Sequence, residues 1–302
     1  MRIITINASK GGVGKTTLVV NLAYELAKQG QRVLVVDLDD QANASLTLGV
    51  NNAEAFEQAD ESTYLQLIES FEKRKEIMDF ISIGYKDVDI SAYHQCIYPA
   101  TGAFQFAENS EKLTGKIDVL PSSYKTNYKK MPDNPSAPRF LGHGLKKLAS
   151  EYDYVLIDTA PCFNHVTWSG WYAAKYVLIP TQLEYLSAFG VKNVLQNIKE
   201  VHIDTDGRQA NVLGIVPMMV SANTTLHTTV AKFMKKNISD FRMLPPIKNS
   251  VYFGHASFKR KPLSLYAAQD NSAANAVAQQ LIDLTKRVVE LIDEKHEVVL
   301  NP

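Results

Sequence analysis

The chain has 302 residues, 45% of them hydrophobic and 21% charged, with 32 basic against 32 acidic side chains and a formal net charge of zero. That balance belongs to an ordinary globular protein and excludes bulk charge as a reason for binding nucleic acid or membrane, so any such site must be a local patch. Two cysteines, Cys96 and Cys162, are too few and too far apart for a disulfide framework or a zinc cluster, which suits a reducing cytoplasm.

The opening residues MRIITIN run straight into a strand pattern, so neither a signal peptide nor an N-terminal DNA-reading domain is expected, and no apolar run reaches membrane-spanning length. Ile3, Ile4 and Ile6 form the strand, and the glycine-rich run SKGGVGKTT follows at 9–17. Leu18, Val19, Leu22, Ala23, Leu26 and Ala27 then share one helical face, which Gly30 should end. RVLVVD (32–37) is apolar in the manner of a parallel strand buried on both faces.

Residues 54–79 carry eight acids and three bases, and the run QLIESFEKRKEIMDFI has a helical period. SAYHQCIYPATGAFQF (91–106) reads as loop or irregular structure, and MPDNPSAPRF (131–140), with three prolines, as a turn or extended connection. Apolar strands recur at 117–121, 154–158, 176–180 and 212–217, with helical patterns near 140–150, 187–202 and 224–238. A last helix is expected at roughly 270–294, with Ala273, Val277, Leu281, Leu284, Val288 and Leu291 on one face. Alternating strands and helices predict an α/β fold, a mostly parallel twisted sheet with helices on both faces. The whole chain, 1–302, reads as one domain with an irregular, partly acidic insertion at about 50–116.

The run at 9–17 carries the chemistry. Gly11, Gly12 and Gly14 free the backbone around Val13 to turn its N–H groups toward phosphate oxygens, and the next helix aims its N-terminus at the same place. Lys15 supplies a point charge for the outer phosphates, Thr16 a hydroxyl for Mg²⁺, and Thr17 extends the loop. The general phosphate-loop pattern would put glycine at position 9, where this chain has Ser9, followed by a second lysine, Lys10. A lysine at the loop's entrance cannot easily fold back onto phosphates its own loop cradles, but it can reach phosphates held by a second copy. Asp158 ends the strand YVLID where a Walker-B carboxylate would hold Mg²⁺ through water, and Asp37, at the end of the neighbouring strand, is a second candidate to do so; of Asp37 and Asp39, one is expected to orient the attacking water, with Asp39 favoured because it lies beyond the strand, closer to the phosphates.

KGGVGKTT, VDLDDQANAS and YVLIDTAPCF together resemble the ParA/Soj partition ATPases, relatives of MinD with a deviant Walker box. The resemblance spans most of the chain and weakens over 50–116. It implies a magnesium-dependent ATPase that dimerises around ATP, with Lys10 contacting the partner's nucleotide and Asp39 serving hydrolysis. Asp40 replaces the proline usual in that family and Ala42 the glycine, both in the switch region. GIVPMM (214–219) and PIKN (246–249) resemble the segments that contact adenine, which makes Met219 and Pro246 the candidates here.

Residues 225–262 hold eight bases and one acid, Asp240. Lys232, Lys235 and Lys236 share a helical face, and Arg242, Lys248, Lys259, Arg260 and Lys261 follow. Lys232, Lys235, Lys236, Lys248, Lys259, Arg260 and Lys261 are the candidate contacts to DNA phosphates, without base readout. The resemblance implies a dimer that coats nucleoid DNA and a ParB-like or adaptor partner that stimulates hydrolysis. A MinD-like membrane switch is the alternative, but the C-terminal VVELIDEKHEVVLNP is acidic and lacks Trp or Phe. A metabolic enzyme of the same superfamily is another, although HQCIYP and TAPCFN do not resemble cluster-binding cysteine contexts.

Overall fold

Seven strands form one sheet in the order β3-β4-β2-β5-β1-β6-β7. They are β1 (Arg2–Ile6), β2 (Arg32–Asp37), β3 (Tyr98–Pro99), β4 (Lys116–Leu120), β5 (Tyr154–Asp158), β6 (Tyr176–Gln182) and β7 (Asn211–Met218). Every pairing is parallel except that of the edge strand β3 with β4. The computed structural model describes residues 1–50, 60–128, 131–221, 225–238 and 240–294.

The helices are α1 (Lys15–Lys28), α2 (Asn43–Thr47), α3 (Glu61–Lys73), α4 (Ile77–Ile83), α5 (Ile90–His94), α6 (Lys125–Tyr128), α7 (Phe140–Lys147), α8 (His165–Ala173), α9 (Tyr185–Asp204), α10 (Thr225–Asn237), α11 (Tyr252–Phe258), α12 (Leu263–Gln269) and α13 (Asn275–Asp293). Strand alternation sorts them into layers. Val33 and Val35 share a core with Leu18 and Leu22 of α1 and Leu281 and Leu284 of α13. Leu34 and Val36 face the other way, onto Phe80 of α4 and Leu141 and Leu145 of α7. Under β6 and β7, Val177, Ile179 and Ile215 pack on Val194 and Ile198 of α9 and Met234 of α10. The expected fold class, a mostly parallel sheet flanked on both faces, is therefore observed.

Three details differ from the sequence expectation. The helical run expected across 66–81 is two helices. The Lys125 ammonium donates to the carbonyls of Phe71 (2.8 Å) and Arg74 (3.1 Å), which closes α3, while Glu76 and Asp79 form a capping box that starts α4. Segment 91–106 is not loop throughout: it contains the end of α5, β3 and a 3-10 turn at Gly102–Gln105, and Tyr93, Cys96, Ala100 and Phe104 are buried because the sheet edge has to be covered. The last long helix begins at Asn275, not near 270; Ala273 sits exposed in a separate 3-10 turn that the Asn271 side chain caps. The acidic residues Glu54 and Glu57 lie outside the described residues.

Candidate functional site

Parallel strands deliver their C-terminal ends to one edge, and three of them, β1, β2 and β5, build the site there. The glycine-rich run leaves β1 and enters α1 through Gly14 at φ 90°. The left-handed backbone disfavours a side chain at that position, and a Cβ there would lie 2.8 Å from Met218 Cε, so the methionine end would have to move. No side chain caps α1 and no acid stands in its first turn, so its leading N–H groups stay available to an anion. Lys15 is 7% exposed and its Nζ donates to the Lys10 carbonyl at 3.3 Å. Burial holds its ammonium below the usual lysine value, against the opposing pull of Asp158 and Asp39.

The register places Asp37 directly beside Asp158 on adjacent strands, both fully buried. Burial, and then the neighbouring Asp37 charge, push Asp158 up to about 8, although Thr16 and Lys15 pull the other way. Thr16 Oγ1 donates to Asp158 Oδ2 at 2.7 Å, while Asp158 Oδ1 is buried without a partner. A hydroxyl and a carboxylate in contact, with one orphaned oxygen beside a phosphate loop, is a donor set that fits hydrated Mg²⁺. Asp37 is raised to about 6, chiefly by burial, and is already engaged: Oδ2 accepts from Ser45 N (2.9 Å) and Ser45 Oγ (2.7 Å), and Oδ1 from Asp39 N (3.1 Å). In this structure it holds the turn that carries Asp39. Asp39 is 8% exposed, accepts from Gln41 N at 3.0 Å, and is raised mainly by burial.

Lys10 points away from this cluster. Its Nζ lies 2.6 Å from Glu184 Oε2 and 3.2 Å from Gln182 Oε1, at the junction of β6 and α9. Both members of the pair are about half exposed, 51% and 47%. Ser9 lies against Gly190 of α9, where any side chain would collide with its hydroxyl. Two lysines five positions apart on one loop thus face opposite ways.

The base candidates are brought to the end of β7 but not into one cavity. Ile247 N bonds to Pro217 O and Val220 N to Ile247 O, which lays 246–249 beside the strand end. Met219, at φ 54°, has its sulfur 3.0 Å from Gln182 Nε2, whereas Pro246 lines a separate cavity against α10.

The basic stretch divides into parts. Lys232, Lys235, Lys236 and Lys248 are exposed. Lys259 and Lys261 both clamp Asp270, the latter at 2.5 Å, a partner just beyond the stretch in which the bases outnumber the acids. Arg260, at φ 47°, and Lys261 line a cavity of about 260 Å³ with Thr16, Thr17, Asn21 and Asn43, so they stand beside the phosphate loop rather than on the α10 face. Sequence reasoning missed Ser45, Gln182, Glu184 and Asp270. For Gln182 and Glu184 a signal existed, because Gln182 ends a parallel strand and Glu184 stands two residues beyond its C-terminal end.

Soj of Bacillus subtilis, a sporulation initiation inhibitor protein, is 29% identical over 290 residues, covering 95% of this chain and 98% of the relative. A chromosome partitioning protein ParA of Caulobacter vibrioides is 27% identical over 270 residues, covering 88% and 87%. An ATP complex of Cyanothece McdA superposes with a TM-score of 0.72 at 18% identity, over 98% of each chain, and so shares the fold. The family described as AAA domain matches residues 1–211. With its phosphate loop, its strand-end carboxylates and its full-length likeness to Soj, the chain belongs to that family and, within it, to the ParA/Soj-like P-loop ATPases.

Proposed function

We propose that the protein is a partition ATPase that switches between a single chain and an ATP-bound homodimer. The observation that carries this reading is Lys10, whose ammonium is turned out of its own phosphate site and held by Glu184 at 2.6 Å. An exposed ion pair of this kind is worth little, on the order of 0–1 kcal/mol, so it keeps Lys10 in place without preventing its transfer to a partner's nucleotide. A cation supplied in trans at the transferring phosphoryl group is worth about 10³–10⁵ in rate in comparable enzymes.

In this scheme the loop N–H groups, Lys15 and Thr17 hold the phosphates, with Met219 toward adenine, while Pro246, which lines the separate cavity against α10, stays outside the nucleotide site. Thr16 and Asp158 hold Mg²⁺, Asp158 and Asp37 through water, and the ion neutralises phosphate charge when bound. Asp39 orients the attacking water. The dimer presents two copies of Lys232, Lys235, Lys236 and Lys248 to DNA phosphates, with Lys259, Arg260 and Lys261 nearby in sequence but differently engaged. Doubling a weak patch raises avidity without new contacts. A ParB-like or adaptor partner would stimulate hydrolysis and release DNA, moving plasmid, chromosome or organelle cargo over the nucleoid in the cytoplasm.

The test is DNA binding and dimerisation with ADP, ATP and a non-hydrolysable analogue, for wild type and Lys10→Ala. ATP-dependent binding, lost in the variant, is expected. With about four phosphate contacts per subunit the logarithmic salt slope should be near −7. Binding that ignores the nucleotide would refute the switch, and a slope near zero would refute the patch.

A further inference from the structure

Between the end of β7 and α10 lies a cavity of about 460 Å³, a size typical of small-molecule sites. Leu183, Val220, Met243 and Pro246 form an apolar wall. The opposite wall is α10, where His227, Thr228, Ala231, Lys232 and Lys235 fall on one helical face, while Val230 and Met234 turn to the core. Thr228 and Ala231 are short, and their size leaves the space open. Among the described residues no Asp or Glu lines the cavity, and neither Lys232 nor Lys235 has a carboxylate partner. Lys259 and Lys261, by contrast, share the Asp270 carboxylate, which offsets one of their two charges. His227 Nδ1 accepts the Ser221 N–H at 3.1 Å, so the neutral imidazole carries its proton on Nε2 and can donate from there.

An apolar space whose rim is cationic and uncompensated favours a ligand with an apolar body and an anionic head. We propose that this cavity binds a small amphipathic anion, an aliphatic or aromatic body bearing one carboxylate, sulfonate or phosphate. Neither the phosphate loop, Lys10 nor Met219 lines it, so it is distinct from the place of the nucleotide phosphates.

Calorimetric titration of the full chain with decanoate and with decyltrimethylammonium, both below their micellar range, tests the site. Decanoate should bind once per chain, at least about tenfold tighter than the cation of equal length, since a tenfold ratio needs only the energy of one modest charge contact. The double variant Lys232→Gln/Lys235→Gln should bring the two within about twofold. Ala231→Leu, which keeps helix propensity and fills the space, should abolish both, with the melting temperature reporting its fold. Saturating ATP with Mg²⁺ should leave decanoate affinity unchanged. Equal affinity for the two amphiphiles in wild type, indifference to a folded Ala231→Leu, or displacement by ATP overturns the proposal; the lysine variant keeps the charge claim testable if Ala231→Leu fails to fold. The titration involves no DNA, so its outcome is independent of the partition reading.

Discussion

The phosphate-loop edge and the basic stretch at 225–262 are both dense in lysine, yet the chain treats them differently. At the loop, residues adjacent in sequence remain adjacent in chemistry: Gly14, Lys15 and Thr16 all converge on the ends of β1 and β5. In the basic stretch, neighbours part company. Lys232 and Lys235 border an apolar cavity, Lys259 and Lys261 are tied to Asp270, and Arg260 stands beside Thr16 and Thr17. A loop motif is short enough for covalent geometry to fix its environment. A run of charge over nearly forty residues is folded back on itself, and its electrostatics are decided by partners outside the run.

The sharpest way to break this contrast is at the loop edge. Asp39→Ala should lower ATP hydrolysis by about 10²–10⁴, the range for loss of a positioned base, while ATP binding and dimerisation persist. A variant with near-normal turnover would remove Asp39 from the chemistry and turn attention to Asp37, whose oxygens are otherwise occupied by Ser45 and the Asp39 N–H.

The basic stretch should respond unevenly. Replacing Lys232, Lys235 and Lys236 by Gln removes about six contacts per dimer and should flatten the salt slope from about −7 to about −2. Lys259→Gln with Lys261→Gln should shift it by no more than about two, because in each subunit Asp270 already offsets one of the two ammonium charges. Equal effects from the two sets would mean that the Asp270 clamp opens on DNA.

What could be read from sequence follows the same division. The six parallel strands, the helices on both faces, the phosphate loop and the Asp37–Asp158 edge were legible because each rests on local periodicity or on a motif a few residues long. The Lys10–Glu184 pair joins residues 174 positions apart, and the helix stop at Lys73 depends on Lys125, neither of which has a local signature. The edge strand at Tyr98–Pro99 is two residues long, too short for an alternating pattern. The resemblance to ParA and Soj proteins filled in roles that residue patterns alone left open, above all for Asp39.

A smaller effect should appear in pH dependence. The Asp158 carboxyl is raised far above its unfolded value by burial and by Asp37. The unfolded chain therefore loses this proton near the ordinary carboxylate value, while the nucleotide-free fold keeps it to about pH 8. Asp158 accordingly disfavours the fold progressively as pH rises from about 4 to about 8. Thermal melts should show wild type losing stability relative to Asp158→Asn across that interval. Mg²⁺ affinity, measured without nucleotide, should rise up to about tenfold per pH unit until the carboxyl is ionised, because a ligating carboxylate must give up its proton. A flat profile would place Asp158 among ionised carboxylates and undo the account of its environment.

The smallest expected change concerns Ala42, where the family's usual glycine is absent. Its φ of 51° opens α2, and a non-glycine residue there costs about 1–2 kcal/mol. Glycine would relieve that strain, but it would also give up a buried methyl, about 0.8 kcal/mol, and add about 0.5–1 kcal/mol of unfolded-state freedom. The three effects nearly cancel, so Ala42→Gly should move Tm by less than about 2 °C. Its consequence should lie in the turn between Asp39 and Ser45, where Ala42 N bonds to Asp39 O at 2.9 Å. A glycine there broadens the positions open to the Asp39 carboxylate, so hydrolysis should change more than stability does. A large loss of Tm with unchanged turnover would show the reverse, that the methyl group matters to packing and that the switch turn is fixed by Asp37 and Ser45 alone.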